Sequence, residues 1–371
     1  MNLWKLTAIA AVTCALAACG GGGGSSGTSV FDSEGSGNTG GNTGGNTGGN
    51  TGGDTGGGDG GGPISDVSNG APSQKSISIS VEKYALNWSV DGDETDVTIR
   101  VTDTAGNPVP AGTVVQFSTE GGQIQKSCTL SGVSEGESEI SSCTVKFATQ
   151  NRRPADNRVT ILAWLQGEEA YVDANSNGKY DNGEPFWDGG RLFRDDNLTL
   201  EYEPILDELN VSDTIVGGSV GIGTKACVVP EGHDDYLNFL STPLSVPGTC
   251  DGVWGKTLIR TWTYLPLSDP RVLGIDVPTT LPPGLAPGTY VRVFSGTGDG
   301  AVAAPSGTTV ELRDASSGCT VSVSPSKVPQ VVLEPTYHLV TFSGATCTSG
   351  AEVTAVAKFN DYETTVQVTK P

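Results

Sequence analysis

Two histidines, His233 and His338, and one methionine are all that 371 residues contain of those types. Histidine titrates nearest neutrality and is the commonest metal ligand, so its scarcity argues against His-based acid–base chemistry and His-bound metal. Cations are scarce as well, with 21 Lys and Arg against 42 Asp and Glu and a net charge of −21. A surface of that sign repels phosphate backbones, which argues against a nucleic-acid partner. It also repels anionic headgroups, so attachment to a membrane calls for a covalent or apolar anchor. No window sustains a helical period of apolar residues, which excludes a helical bundle.

Glycine is abundant instead, at 53 residues, clustered before residue 63. Ahead of that cluster, Lys5 and the apolar stretch Leu6–Leu16 form a short charged and then hydrophobic leader. The stretch is too short to span a bilayer and reads as a signal segment. It ends in Leu16-Ala17-Ala18-Cys19, which resembles the lipobox of bacterial lipoproteins. The resemblance implies cleavage before Cys19, acylation of its sulfur and amine, and anchoring by several acyl chains, more than stable attachment requires. Gly20 at the next position, in place of Asp, implies an outer-membrane lipoprotein, on the cell surface or the periplasmic face.

From Gly20 to Pro63 an Asn-Thr-Gly-Gly repeat starts at Asn38, Asn42, Asn46 and Asn50. Nothing in it can bury apolar area, so it is expected to be a disordered tether. A Gly-rich coil of that length has an r.m.s. span of roughly 35–40 Å. Fully stretched, it reaches on the order of 140 Å.

The remaining roughly 300 residues read as all-β, enough for two domains. Apolar and polar residues alternate at Ile77–Val81, Val97–Val101, Val114–Phe117, Val159–Trp164, Val353–Ala357 and Thr365–Val368, with Gly, Pro, Asn and Asp between them. Short strands with frequent turns predict β-sandwiches. Setting Cys14 and Cys19 aside leaves Cys128, Cys143, Cys227, Cys250, Cys319 and Cys347, an even number in an exported chain, which implies disulfides. Pairing in sequence order is the simplest of the 15 connectivities.

Residues 101–117, Val-Thr-Asp-Thr-Ala-Gly-Asn-Pro-Val-Pro-Ala-Gly-Thr-Val-Val-Gln-Phe, resemble the group 1 bacterial immunoglobulin-like domain of invasin and intimin. The same string reads physically as a strand, a Gly-Asn-Pro turn shaped further by Pro110 and Gly112, and a returning strand. A weaker echo runs from Val291-Arg292-Val293 to Ser306–Leu312. The expected organisation is a signal at 1–18, a lipidated Cys19 with linker to 73, an immunoglobulin-like domain at 74–204, and a bridging segment with a second such domain at 205–371, its sandwich starting near Trp254.

The sharpest chemical motif is Asp173–Glu184, which fits the calcium-loop pattern D-x-[DN]-x-[DN]-G-x5-E at every fixed position. Calcium takes six to eight converging oxygens. Asp173, Asn175 and Asn177 supply them at alternate positions, Lys179 through its carbonyl, Asp181 through water, and Glu184 with both oxygens. Gly178 permits the bend. The loop follows a strand rather than a helix, so only the loop resembles an EF-hand, and its expected role is to stiffen the junction between domains. Asp188, Asp195, Asp196 and Asn197 offer a second, irregular cluster or a plain acidic face.

Catalytic candidates are weak. Gly217-Gly218-Ser219-Val220-Gly221 matches the serine-hydrolase string, but alternation there suggests a strand in place of the required elbow and helix. The acid pairs Glu168/Glu169, Asp195/Asp196 and Asp234/Asp235 read as solvated charges. Trp262 and Tyr264 share one face of a strand and serve either as core aromatics or as a stacking platform for a sugar. Trp254 is expected to pack on the neighbouring disulfide. The sequence therefore implies a non-enzymatic envelope lipoprotein whose sandwiches act as a stalk or adhesion module. A protein- or glycan-binding module is the second reading, and a hydrolase centred on Ser219 a remote third.

Overall fold

The structure, a computed structural model, describes residues 70–131, 141–203, 222–227 and 245–371. The signal, Cys19 and the repeat fall outside these residues, as do Ser219 and His233. The described part is all-β and antiparallel. No helix among the described residues is long and apolar enough to cross a membrane.

Strands β1 (Ile77–Val81), β2 (Glu94–Val101), β4 (Gln123–Ile124) and β6 (Ser141–Ala148) form one sheet in the order β1-β2-β6-β4. Strands β3 (Val114–Thr119), β5 (Ser127–Thr129), β7 (Arg158–Glu168) and β9 (Lys256–Pro266) form the facing sheet in the order β5-β3-β7-β9. Alternation decides which side chains enter between them. On β2, Val97, Ile99 and Val101 are buried in the core while Thr98 and Arg100 face outward. Val115 and Phe117, Val145 and Phe147, and Val159, Ile161 and Ala163 complete the core with Trp88. Each such Val, Ile or Phe removed from water contributes about 1.5–3 kcal/mol.

β7 departs from alternation and is buried along most of its length. Its inner residues face the core, and its outer residues Leu162 and Trp164 share their face with Leu258 and Trp262 of the adjacent β9 and are covered by Leu192 from the chain that follows. A strand covered on both faces needs apolar side chains at consecutive positions, as in Ile161-Leu162-Ala163-Trp164-Leu165. After β8 (Ile222–Lys225) the chain enters β9, which pairs with β7 from Arg158↔Pro266 to Glu168↔Lys256. The strand expected to open the second sandwich therefore completes the first.

The second sandwich holds β10 (Leu273–Asp276), β11 (Thr289–Ser295), β14 (Thr336–Ser343) and β13 (Thr320–Ser324) in the order β10-β11-β14-β13. It faces β12 (Thr309–Arg313), β15 (Glu352–Phe359) and β16 (Tyr362–Thr369) in the order β12-β15-β16. Its core includes Val291, Val293, Val310, Val340, Val353, Ala355 and Val368. The two strand orders correspond: β1-β2-β6-β4 with β10-β11-β14-β13, and β3-β7-β9 with β12-β15-β16. Two differences separate them: β5, beside β3, has no counterpart beside β12, and the last two strands of this sheet are joined differently. β15 and β16 join through the two residues Asn360 and Asp361, whereas residues 169–255 lie between β7 and β9.

The repeated string at 101–117 is not a hairpin. β2 and β3 sit in facing sheets, and so do β11 and β12. Asp103 Oδ1 accepts the amides of Ala105 and Asn107, and Gly106 and Gly112 take φ of 87° and 90°, so the chain crosses between sheets. The cysteines pair in sequence order: Cys128–Cys143, Cys227–Cys250 and Cys319–Cys347. The segment expected to remain linker through 73 is already fixed at its end. Ser73 is buried, donates its amide to Thr102 O and bridges to Glu168.

Candidate functional site

The loop 173–184 is the tip of a short ladder rising from the end of β7. Trp187 N donates to Ala170 O, Val172 N to Pro185 O, and Tyr171 bridges to Phe186. Within the tip the polar side chains turn toward one another. Asp173 accepts the amides of Asn177 (3.0 Å) and Gly178 (2.8 Å), Asn175 Oδ1 accepts that of Asn177, and Asn177 Oδ1 that of Lys179. Glu184 folds back over the loop, accepting from Ala174 N at 2.8 Å and Asp181 N at 2.9 Å. The carboxamides of Asn175 and Asn177 meet Asp181 Oδ2 at 2.6 and 2.7 Å. Gly178, at φ 76°, makes the turn that brings the first half back.

Five of the six sequence-nominated positions thus converge, and Lys179 is joined to them through its backbone amide. The set is oxygen-rich and hard, with three carboxylates, which suits calcium better than a softer metal. Among the described residues, however, no group of three or more His, Cys, Asp or Glu is disposed to hold a metal ion. The side chains meet partly through amide-to-carboxylate hydrogen bonds, which a cation would have to replace.

The loop's place in the fold differs from expectation. β7 starts beside the second sandwich, where Asn157 Nδ2 donates to Gly300 O and Arg158 faces Glu334. It ends at Glu168, about 33 Å further along by the rise of a strand. The loop therefore lies at the pole away from the second sandwich, beside Pro72 near the first of the described residues, since Glu168 N donates to Pro72 O at 2.7 Å. It does not lie between the domains.

Beneath the loop is an aromatic floor. Tyr180 stacks on Trp254 with centroids 4.7 Å apart, and Tyr171 and Phe186 meet Tyr180 edge-on. Trp254 thus packs on the loop's own Tyr180, and its Nε1 donates to Glu169 O. Sequence reasoning missed Tyr180, although its place between Lys179 and Asp181 in the motif marked it as a residue the loop carries.

Three of the acids in those pairs, Glu169, Asp195 and Asp196, are buried rather than solvated. Glu169 is buried, accepting Gly189 N on one oxygen and Gly255 N on the other. Burial pushes its pKa up to about 8, with Asp188 and Asp251 adding to the rise against those amide bonds. Asp195 is buried and accepts the amides of Thr199 and Leu200. Asp196 forms a two-pronged buried pair with Arg194 at 2.5 and 2.7 Å. Its charge, second to burial, raises Glu120 to about 8. Asp188 lies near the other end of β9, holding Gly252 N, so it is not gathered with Asp195, Asp196 and Asn197. Asp234 and Asp235 fall outside the described residues.

Trp262 and Tyr264 are both engaged. Trp262 packs with Leu162 and Trp164 under the cover. Tyr264 lies beneath Arg158 at 5.8 Å and donates to Glu334 at 3.4 Å. His338 is buried in the second sandwich, with Nδ1 against Pro325 O at 2.6 Å and Nε2 against Thr336 Oγ1 at 2.8 Å. It serves the core there.

No family model and no curated protein matches the chain. A solved structure of the Yersinia pseudotuberculosis adhesin InvE is similar at 12% identity, over 81% of this chain and 60% of that one, with a TM-score of 0.20. The fold described above stands on its own sheet pairings.

Proposed function

We propose that the chain is a non-catalytic envelope lipoprotein, held by acyl chains on Cys19, that carries its two sandwiches as one stiff spacer and interaction module. The observation that supports this is the join between the sandwiches. Residues 84–88 of the first insert against the second: Tyr84 N donates to Gln330 O, Ser306 N to Ala85 O, and Trp88 N to Ser268 O. Ser268 is buried and its hydroxyl donates to Ala303 O. Backbone bonds of this kind fix an angle that a flexible linker leaves free.

The same layout suggests where a partner would meet the chain. Loops 277–288, 314–319 and 344–351 lie at the pole away from the first sandwich, the last two tied by Cys319–Cys347. They carry a single charge, Asp314, in a chain of net −21, and expose Val277 and Leu285. Such a pole suits an uncharged protein surface. Calcium, in this reading, would be held by Asp173, Asn175, Asn177, Asp181, Glu184 and the Lys179 carbonyl. It would stiffen the pole where the tether arrives.

One experiment tests both parts. Intact cells bearing the wild type or Cys19→Ser are shaved with protease, with and without a calcium chelator. The expected result is cell-associated, protease-accessible protein only when Cys19 is present, with faster cleavage near residues 70–73 under chelator. Protein retained on cells without Cys19 would remove the anchor. A cleavage rate indifferent to chelator would remove the metal alone.

A further inference from the structure

Two Asn-Gly dipeptides occur among the described residues, Asn177–Gly178 and Asn182–Gly183, both in the exposed loop. Asn-Gly is the sequence most open to spontaneous deamidation, because glycine offers no side chain to hinder attack by its own amide nitrogen. The deprotonated nitrogen of the glycine adds to the Asn side-chain carbonyl carbon, and ammonia leaves as the five-membered succinimide closes. Water then opens the ring at one carbonyl or the other, giving an aspartyl or an isoaspartyl residue. No oxidant or cofactor is needed.

The fold treats the two sites differently. At the first, every participant is tied. Asn177 Oδ1 accepts Lys179 N, its Nδ2 donates to Asp181 Oδ2 at 2.7 Å, and the attacking Gly178 N–H is committed to Asp173 Oδ2 at 2.8 Å. Closing the ring there means breaking all three bonds, one of them to an ionised acceptor, the stronger class of hydrogen bond. At the second, no described residue hydrogen-bonds the Asn182 carboxamide, and Gly183 N–H has no acceptor among the described residues. Asn182 is exposed, and the space around Gly183 is open to 4 Å.

We propose that Asn182 is a self-modifying position that deamidates in the folded protein while Asn177 is held unreacted. The product adds a negative charge between Asp181 and Glu184, and the isoaspartyl form also lengthens the backbone there. Either change loosens the grip of Glu184 on Asp181 N, so the loop ages from its second half. The inference rests on the hydrogen bonding of the two sites, so its test is run in the presence of a chelator, where no cation replaces those bonds.

The test is incubation of the full folded chain at mildly alkaline pH, followed by peptide mapping and isoaspartyl methylation. The expected result is a mass gain of ~1 Da at Asn182, accumulating several-fold faster than at Asn177, and lost in Asn182→Gln. Gly183→Ala slows it as well, by shielding the amide. Denaturing the chain should bring the two rates together, because the bonds guarding Asn177 go. Equal rates in the folded chain would overturn the proposal. So would an unchanged Asn182 over a period in which the denatured chain converts at both sites.

Discussion

Glu169 shows how a single buried carboxyl can set the chain's response to pH. Its two oxygens hold Gly189 N and Gly255 N, tying the segment after β7 to the start of β9. Its folded pKa is about 8 against an ordinary 4.5, and Glu120 behaves alike. The fold accommodates the neutral acid, whereas the unfolded chain ionises near 4.5, so raising the pH draws protons from the unfolded state first. Stability contributed this way is complete below about 4.5 and is lost as pH climbs to about 8. His338 acts with the opposite sign, since burial lowers its pKa from 6.5, so it costs stability only as pH falls below that value. Between pH 6.5 and about 8 the carboxyls act alone among these three. The melting temperature should therefore fall across that interval, and fall less in Glu169→Gln. A slope identical in wild type, Glu169→Gln and Glu120→Gln would show that neither carboxyl is held neutral.

Among the elements, β9 decides where the first domain ends. The sequence reading ends the first domain at 204 and takes residues 205–253 as a bridge or as early strands of the second. The fold carries the closing strand across residues 169–255 to pair with all of β7. Nothing local in Thr257–Leu265 announces that partner, since strand pairing over such a separation is set by which edge is vacant. The second sandwich shows the same step made locally, β15 turning into β16 through Asn360, at φ 51°. A chain ending at 204 would leave the core face of β7 open along one edge and strip Ile259 and Leu265 from the core. Losing those two alone removes about 3–6 kcal/mol of burial, a large share of ordinary domain stability. Such a fragment is expected to show no cooperative melt and poor solubility, whereas a fragment ending after Ser268 keeps β9 and should fold. Circular dichroism melts of the two compare them directly, and a well-folded 204 fragment would mean β9 is dispensable. The strands themselves were legible, because period-two alternation is a property of each one. The string 173–184 does fold into one hydrogen-bonded loop, but among the described residues no group of three or more His, Cys, Asp or Glu is disposed to hold a metal, so its reading as a calcium site stays a proposal. The burial of Glu169 and Asp195 was not legible, because the amides that hold them come from turns at Gly189, Gly255 and Thr199, nor was that of Asp196, which pairs with Arg194.

For the whole molecule, the spacing of its charges and the join of its bodies matter together. A net charge of −21 opposes compaction, yet the acids at the join are paired: Glu334 faces Arg158 and Tyr264, and Asp91 faces Arg153, which also donates to Trp88 O at 2.8 Å. Exposed pairs contribute little each, so the join depends chiefly on what is buried there. Leu86 and Trp88 are wholly buried on one side, and Ala303 on the other, with Ser268 between them. Two bodies sharing buried backbone bonds should melt together, unlike beads on a linker, which melt independently. Calorimetry of the folded chain should give one transition. Ala303→Asp places an unpaired charge where water cannot reach it, a change that costs several kcal/mol, and should split the melt with the second sandwich unfolding first. Two separate transitions already present in the wild type would mean that the join transmits no stability, and the proposed spacer, hinged there, could not hold its two sandwiches at a fixed angle.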